Sequence, residues 1–418
     1  MPENSVRDIA KLPGISKFKR PEVARELFLR LLRKIKVGTL TVHDGDQVFQ
    51  FGNDTRPESP HADVTIHHHR TYRRVLTGGT IASGEAFIDG DWSSENPTEV
   101  TRLFSANMET MESMYDSQHW WMKLALKVAH FANRNTLSGS KKNISAHYDL
   151  GNEFFQLFLD PIMMYSSAVF PTAEANLAVA AEHKLELICK QLELQESDHL
   201  IEIGTGWGGM AIYAAQHYGC RVTTTTISKE QYDYASKAVA QAGLEDRITL
   251  LCDDYRDLTG QFDKLVSIEM IEAVGHEFYE SYFSTCSRLL KSNGKMVIQA
   301  ITIPDQRYDH ARQSVDFIKR YIFPGGCLPS IGVITDNLAR HTDLHIVSMN
   351  DITQDYARTL EAWHHVFLEQ LDKVMDMGFD ERFIRMWRFY LSYCEGGFRE
   401  RIIGTFQISM AKPGYRPS

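Results

Sequence analysis

Glycines cluster at one point of the chain in a spacing that can bind a nucleotide-like cofactor. Residues 200–209 read LIEIGTGWGG, so an apolar run ends at Glu202 and four glycines follow. Glycine adopts positive φ and has no Cβ, so a cofactor can lie against the backbone of such a turn. The spacing differs from the full dinucleotide fingerprint, and no P-loop lysine follows. The pattern favours the loop of an S-adenosylmethionine (SAM) methyltransferase over a dinucleotide site or an ordinary tight turn.

The composition is that of a large globular protein with an acidic balance. The chain has 418 residues, of which 43% are hydrophobic, and a net charge of −9. This length predicts two or three domains, and the charge gives no sign of a nucleic-acid partner. No apolar run reaches the ~18 residues that cross a bilayer, and the N-terminus lacks a signal pattern. We therefore expect a soluble, cytoplasmic protein.

Neither the cysteines nor a histidine run predicts a metal site. The six cysteines are scattered without a C-x-x-C pair, which argues against a disulfide framework and against zinc. Three histidines, His67 to His69, follow ADVTI, which alternates as a strand does. Adjacent strand residues point to opposite faces, so three consecutive histidines in a strand do not converge on one ion. We expect no metal.

Residues 1–140 predict a smaller α+β domain. A helical pattern at 22–35 precedes short strand-like pieces, and NPTE at 96–99 resembles a capped helix start. Turn signals separate the strand-like pieces at Asp44-Gly45, Gly52-Asn53, Gly78-Gly79 and Asp89-Gly90.

The helix that begins near residue 97 is expected to run through Met108 towards residue 122. No acidic residue lies between Asp116 and Asp149, whereas Lys123 and Lys127 are among several basic residues there. Such a basic, aromatic, methionine-rich helix suits an anionic membrane surface, and it equally suits an inter-domain helix with a buried apolar face.

Residues 141–418 predict the second domain, a doubly wound α/β sheet with helical lid insertions. Ligands of such sheets bind beyond the carboxyl ends of the strands, so the loops after residues 203, 226, 252, 268 and 299 are expected around one pocket. From residue 305 onward the sequence is expected to be helical, with a Pro/Gly break at 323–329.

Several long motifs in this part resemble the cyclopropane-fatty-acid synthase family, which includes the mycolic-acid cyclopropane synthases. The resemblance runs from about 147 to 410, and the N-terminal part is similar to the longer bacterial members. The motifs, besides the glycine loop, are HYDLGNEFF at 147–155, LDPIMMYSS at 159–167, TISKEQ at 226–231, EMIEAVGH at 269–276, YIFPGGCLP at 321–329 and FRERIIGTFQ at 398–407.

The resemblance implies a set of residues that hold SAM. Glu202 is expected to position the glycine loop or the amine of SAM, and Asp253 to accept from the adenine amino group. The usual acidic residue after the second strand is absent, so Gln231 is the expected ribose contact. The full cofactor set is Tyr165, Ser166, Glu202, Gly204, Gly206, Trp207, Thr226, Gln231, Cys252 and Asp253.

The resemblance also implies a base. Methyl transfer to an alkene leaves a carbocation that needs negative charge and proton removal, and in the family a bound bicarbonate is thought to be that base. The matching residues here are Glu272, Tyr356 and the backbone of Ile301. Two positions depart from the family pattern: Ser167 replaces a cysteine and Gln299 replaces a histidine.

With these two substitutions we still expect methyl transfer to a lipid, but the proton removal that closes the ring could differ from that of the family. Serine and glutamine still donate hydrogen bonds, whereas an imidazole that titrates near neutral pH is lost. Cys394 matches a cysteine often found near the family's active site, although a buried structural role is the commoner one for such a residue.

The leading hypothesis is a peripheral membrane enzyme that uses SAM to cyclopropanate cis double bonds in phospholipid acyl chains. A methyl- or methylene-branched fatty acid synthase is the alternative in the same family. A soluble small-molecule methyltransferase and a decayed lipid-binding protein are the others. The expected partners are unsaturated phospholipids and the anionic inner face of the membrane, and a homodimer is in keeping with the longer bacterial relatives.

Overall fold

The computed structural model describes residues 21–108 and 150–417, which fall into two compact units. The described part of the first unit comprises residues 21–108 and 375–400, and that of the second comprises 150–374 and 401–417. A segment from the C-terminal part of the sequence therefore clusters with the N-terminal elements. The boundary expected near residue 140 lies outside the described residues. The basic segment that carries Lys123 and Lys127 lies outside them as well.

The elements are given in chain order. The first part contains α1 (Pro21–Leu32), β1 (Thr39–Asp44), β2 (Gln47–Phe51), β3 (His61–Ile66), α2 (Arg70–Ile88), β4 (Trp92–Ser93) and α3 (Pro97–Ala106). The middle part contains α4 (Asn152–Gln156), α5 (Leu177–Leu192), β5 (His199–Ile203), α6 (Gly209–Tyr218), β6 (Arg221–Thr225), α7 (Lys229–Gln241), β7 (Ile248–Leu251), β8 (Phe262–Ile268), α8 (Ile271–Val274), α9 (Tyr279–Leu289) and β9 (Leu290–Thr302). The last part contains α10 (Asp305–Gln313), α11 (Phe317–Tyr321), α12 (Ile331–His341), β10 (His345–Asp351), α13 (Thr353–Glu369), α14 (Leu371–Asp376), α15 (Glu381–Arg399) and β11 (Gly404–Ala411).

The first unit is an α+β unit built on a four-stranded sheet of order β2-β1-β3-β4. The predicted turn at Asp44-Gly45 joins β1 to β2 as an antiparallel hairpin, with Gly45 at φ +60°. Helix α3 begins at the predicted cap, where the Asn96 side chain accepts from the Glu99 amide. Helix α15 packs on α3, and Thr98 Oγ1 donates to the Glu395 carboxylate at 3.0 Å.

Three local predictions for this unit are wrong. The strand β3 ends at Ile66, so His67 to His69 lie in the connection to α2, where His69 Nε2 contacts Asp44 at 2.8 Å. The Gly78-Gly79 pair lies inside α2, where Gly79 at φ +62° kinks the helix but does not end it. The helix capped by Asn96 ends at Ala106, and the Asn107 side chain that follows accepts from the amides of Lys36 and Val37. The rest of the predicted span, towards residue 122, lies outside the described residues.

The second unit is the predicted doubly wound α/β sheet. Its seven strands have the order β10-β11-β9-β8-β5-β6-β7, and β5 to β9 pair in parallel. Buried residues of α5, α6 and α7 form one core with the sheet, and those of α8, α9 and α12 form another. Parallel strands are covered on both faces in this way because their crossover helices lie on both sides of the sheet.

Two predictions about the end of this sheet are wrong. Gln299 lies inside β9, which continues to Thr302 because β11 pairs antiparallel with residues 295–302. The part after residue 305 is also not entirely helical, since it supplies β10 and β11 as well as the inserted helices α10 to α12. Among the residues described, none of the helices combines the length and the apolar character needed to span a membrane.

Candidate functional site

The glycine loop connects β5 to α6 at the carboxyl edge of the sheet. Gly204 and Gly206 have φ values of +102° and +53°, which disfavour residues with a side chain. The Gly204 amide donates to the Thr225 carbonyl at 3.1 Å, so the loop is fixed to the neighbouring strand. A Cβ at Gly206 meets nothing within 4 Å, and one at Gly204 lies 3.3 Å from Met270. The loop is therefore open at Gly206 and adjoins the loop that follows β8.

Glu202 ends β5 as a buried carboxylate under this loop. The residue is only 3% exposed, and its carboxylate accepts a hydrogen bond from Thr224 Oγ1 at 2.7 Å. Burial raises the pKa of Glu202 to about 8, since the charged form loses its hydration. A carboxylate with spare acceptor capacity at this edge fits an ammonium group of a cofactor such as SAM.

Aromatic rings form a wall beside the glycine loop. The ring of Tyr165 lies 5.1 Å from that of Phe155 and 5.3 Å from that of Trp363, measured between centroids. Trp207, from the loop itself, packs on Phe155 at 5.1 Å and donates from Nε1 to Asn152 at 2.6 Å. Ring faces attract cations, so this wall suits both a sulfonium and a carbocation.

The remaining cofactor candidates lie on the neighbouring loops after β6 and β7. Thr226 Oγ1 donates to the buried Gln231 side chain at 2.9 Å. Cys252 and Asp253 are exposed, and the Asp253 carbonyl accepts from Thr225 Oγ1 at 2.5 Å. These four candidates therefore follow β6 and β7 at the same edge of the sheet as the glycine loop. Proteins with this fold bind their ligands beyond that edge.

Glu269 is the centre of a hydrogen-bonded cluster that the sequence reading did not single out. It follows β8 at φ +49°, and its Oε1 accepts from the Ser167 amide at 2.9 Å and from Gln299 Nε2 at 2.8 Å. Its Oε2 accepts from the Tyr356 hydroxyl at 2.7 Å. Three residues that were expected around a bound anion therefore surround a side chain of the protein, although Ser167 does so through its backbone amide rather than its hydroxyl.

A chain of amides fixes the orientation of Gln299 in this cluster. Gln407 Nε2 donates to Gln299 Oε1 at 3.0 Å, and Gln191 Nε2 donates to Gln407 Oε1 at 2.6 Å. Because the oxygen of Gln299 is occupied, its NH₂ group faces Glu269. The same NH₂ group also donates to the Ser167 carbonyl at 3.1 Å. Gln299 and Gln407 are each 1% exposed, so these donors are held away from water.

Glu272, the expected catalytic carboxylate, lies in α8, three residues after Glu269. Its Oε1 accepts from the Ile301 amide, which is the predicted backbone contact. Its Oε2 is buried, and no hydrogen-bond partner for it is found among the described residues. Burial and the nearby charge of Glu269 raise the pKa of Glu272 to about 8. Two carboxyl groups with raised pKa values thus lie close together.

Lys184 is a second residue that the sequence reading missed. It is 0% exposed, its Nζ donates to Ser166 Oγ at 2.8 Å, and burial lowers its pKa to about 8. The charges of Glu269, Asp160 and Glu202 act on it in the opposite direction. Its burial could have been predicted from its position in the apolar stripe of α5, which contains the buried residues Ala180, Ala181, Leu185 and Ile188. The importance of Glu269 could have been predicted from its position at the end of a buried strand.

Cys394, the remaining catalytic candidate, lies on α15 in the first compact unit and is partly buried. Ser167 contributes its backbone amide to the cluster, while its hydroxyl donates to the Ala168 carbonyl at 2.9 Å.

Comparisons with known proteins give a consistent result. A family model described as mycolic acid cyclopropane synthetase matches residues 136–408. The tuberculostearic acid methyltransferase UfaA1 of Mycobacterium tuberculosis is 35% identical over 97% of this chain and 96% of its own length. The cyclopropane-fatty-acyl-phospholipid synthase of Escherichia coli is 35% identical over 84% of this chain and 88% of its own. The mycolic acid cyclopropane synthase CmaA1 complexed with SAH and CTAB superposes with a TM-score of 0.61, at 30% identity, over 65% of this chain and 98% of its own.

Proposed function

The chain belongs to the mycolic acid cyclopropane synthetase family and is a SAM-dependent methyltransferase, and we propose that it methylates the cis double bond of an unsaturated acyl chain in a membrane phospholipid. One observation carries the proposal. A carboxylate cluster, Glu269 and Glu272 with their donors, adjoins the glycine loop through Met270. Bound SAM supplies an electrophilic methyl group to a weakly nucleophilic alkene.

The residues around the loop support the binding half of this proposal. Gly204 and Gly206 let the cofactor approach the backbone, and Glu202 receives its amine. Gln231, held by Thr226, contacts the ribose, and Asp253 accepts from the adenine amino group. Tyr165, Ser166, Trp207 and Cys252 complete the cofactor site.

The carboxylate cluster supports the chemical half. An alkene attacks slowly, so the rate depends on holding it near the methyl group in a pocket that excludes water. The cation that follows is stabilised by negative charge in the carboxylate cluster. Aromatic faces of Tyr165 and Trp363 stabilise it further. The cluster then has to accept one proton.

The fate of the cation defines the product. Loss of a proton from the added methyl group closes a cyclopropane ring, which is the product we propose. A methyl- or methylene-branched chain is the second candidate. Loss of a proton from a neighbouring carbon leaves a methyl-branched alkene, and loss from the methyl group after a 1,2-hydride shift leaves an exocyclic methylene group. One observation favours that candidate: the side chain of Gln299, which replaces the family's histidine, donates directly to Glu269.

The substrate class rests on the relatives and on charge. The Escherichia coli relative is named for fatty-acyl phospholipids. The basic segment with Lys123 and Lys127 is suited to the anionic phospholipids of the inner face of a membrane. We include membrane docking and a homodimer in the proposal as properties to be measured by vesicle binding and by light scattering.

The function is tested by incubating the purified protein with SAM and vesicles of a cis-monounsaturated phospholipid. Released fatty acids are then examined by mass spectrometry and proton NMR. A gain of one CH₂ with upfield ring protons supports a cyclopropane product, and the same gain with olefinic protons supports the branched product. Activity on soluble acceptors with no gain on lipid contradicts the proposal and points to a small-molecule methyltransferase.

A further inference from the structure

Glu269 occupies the position in which the cluster would hold a free anion. Three residues expected to hold bicarbonate all donate to the Glu269 carboxylate: Gln299 and Tyr356 through their side chains, and Ser167 through its backbone amide. We propose that Glu269 is the built-in general base of the reaction and takes the place of a dissolved bicarbonate ion. This inference rests on the proposed function, because it assigns the proton acceptor of that reaction.

The hydrogen bonds around Glu269 leave it able to accept a proton. A carboxylate has about four lone-pair sites, and three donors from the described residues contact this one. Two of these donors share Oε1, and the third, the Tyr356 hydroxyl, contacts Oε2. Oε2 therefore retains an acceptor site. All three donors hold the side chain in one orientation, which a general base needs.

The backbone of Glu269 supports a functional role for this residue. Its φ of +49° lies in the left-handed region, which is uncommon and strained for a residue with a side chain. The Glu269 amide donates to the Gln299 carbonyl at 2.7 Å, so the strained turn is tied to β9. A glycine at this position would relieve the strain. The presence of a glutamate instead is explained by a role for its carboxylate.

The surroundings of Glu269 contain both signs of charge. Lys184 acts on it as the nearby cation, and Glu272 as the second carboxyl group. Burial raises the pKa of Glu269, while its hydrogen bonds from Gln299, Tyr356 and Ser167 oppose that rise. A carboxylate made more basic than usual is a better proton acceptor near neutral pH.

The chemical step balances without any further reactant. Methyl addition uses the alkene π electrons to form a C–C bond as the C–S bond of SAM breaks, which leaves a carbocation on the neighbouring carbon. Glu269 removes a proton from the new methyl group, and the C–H electron pair forms the second ring bond. The proton stays on Glu269 as a carboxylic acid until it exchanges with water. Proton removal from a carbon adjacent to the cation gives a methyl-branched alkene instead. A methylene branch forms when a 1,2-hydride shift first moves the cation to the methyl-bearing carbon and the methyl group then loses its proton.

The first experiment separates a protein carboxylate from a free ion. Vesicle methylation is measured in CO₂-free buffer and again with added bicarbonate. We expect the wild type to be insensitive to bicarbonate, and Glu269→Gln to lose at least about 10²-fold in turnover while retaining SAM affinity by calorimetry. Dependence of the wild type on bicarbonate overturns the proposal, and so does near-normal turnover of Glu269→Gln.

A second variant guards against a folding artefact. Glu269→Gly suits the positive φ and opens a space framed by the same donors. We expect it to fold, to be inactive in CO₂-free buffer, and to regain turnover as bicarbonate or formate is added. A merely structural role for Glu269 predicts no such concentration-dependent rescue, so its absence in a folded variant contradicts the proposal.

Titration with ¹³C-bicarbonate, followed by NMR, tests whether the cluster binds a free bicarbonate ion, and it needs no lipid substrate. We expect binding to Glu269→Gly and none to the wild type at this site. If the wild type forms no lipid product, the proposed function fails, yet the titration still tests the occupant of the cluster. Wild-type binding that is lost on replacing Gln299 with leucine assigns the position to bicarbonate and overturns the inference.

Discussion

The hydroxyl of Tyr356 on α13 donates a 2.7 Å hydrogen bond to Oε2 of Glu269 at the end of β8. The two residues are 87 positions apart, and the bond joins helix α13 to the parallel sheet. It stabilises the charged form of Glu269 and fixes the one carboxylate oxygen that has spare acceptor capacity. The pair is therefore a direct target for kinetic tests.

Tyr356→Phe should reduce turnover by about 10-fold to 100-fold with little change in SAM affinity. Loss of the donor disfavours the carboxylate and raises the pKa of Glu269, so the acid limb of the kcat profile should move to higher pH. A pH series of initial rates measures this. Tyr415→Phe, which removes a tyrosine–carboxylate bond to Glu193 outside the cluster, is the matched control. Equal effects of the two variants would argue against a role for the Tyr356 hydroxyl.

Gln407→Met should lower turnover several-fold through Gln299. The substitution keeps the volume of a residue that is 1% exposed but removes the amide donor to Gln299 Oε1. An unpaired buried carbonyl costs about 1–3 kcal/mol, and Gln299 is then free to turn its NH₂ group away from Glu269. Thermal unfolding and kcat are to be measured together. A loss of stability with unchanged kcat would mean that Gln407 stabilises the fold but does not affect catalysis.

Gly206→Ala should weaken SAM binding at least about tenfold, as measured by calorimetry. The added methyl group enters the open space above the loop, and the backbone at φ +53° costs roughly 1 kcal/mol with alanine. Gly243→Ala is the control, because Gly243 has φ +65° and also has nothing within 4 Å of its Cβ. Both variants should lose similar stability, and only the first should lose affinity. Unchanged affinity in Gly206→Ala would remove this glycine from the cofactor site.

The stability of the wild type relative to Glu202→Gln should fall as pH rises from about 5 to 8. Burial raises the pKa of Glu202 from its usual 4.5 to about 8, so between these values the folded protein holds a proton that the unfolded chain has released. The stabilising protonation is complete below pH 4.5 and is lost through pH 8, at up to about 1.4 kcal/mol per pH unit. Denaturant unfolding of the two proteins without SAM measures the difference. A pH-independent difference would mean that Glu202 is charged when folded.

Replacing Lys123 and Lys127 with glutamate should weaken binding to anionic vesicles, more strongly at low salt. The prediction rests on the sequence, since basic residues near an anionic surface contribute about 1 kcal/mol each and salt screens that attraction. Vesicle sedimentation across a salt series is the measurement. Lys190 and Lys373, which are exposed, provide a control pair with the same change of charge. Unchanged binding by the first pair favours an inter-domain helix.

The sequence by itself determined the sheet and the glycine loop, because both depend on local requirements. Apolar runs of strand length alternate with helical patterns, and the positive φ values of Gly204 and Gly206 need glycine wherever the chain goes next. The same holds for the cap at Asn96, whose partner is three residues away.

Only the tertiary structure decided which carboxylate the donors surround. Glu269 and Glu272 are three residues apart, and the turn at φ +49° aims the first at Ser167, Gln299 and Tyr356. Gln299 takes part because the distant strand β11 extends β9 beyond it. Contacts between residues 30 to more than 100 positions apart leave no trace in a local pattern, since their energy comes from burial and hydrogen bonding in the folded chain.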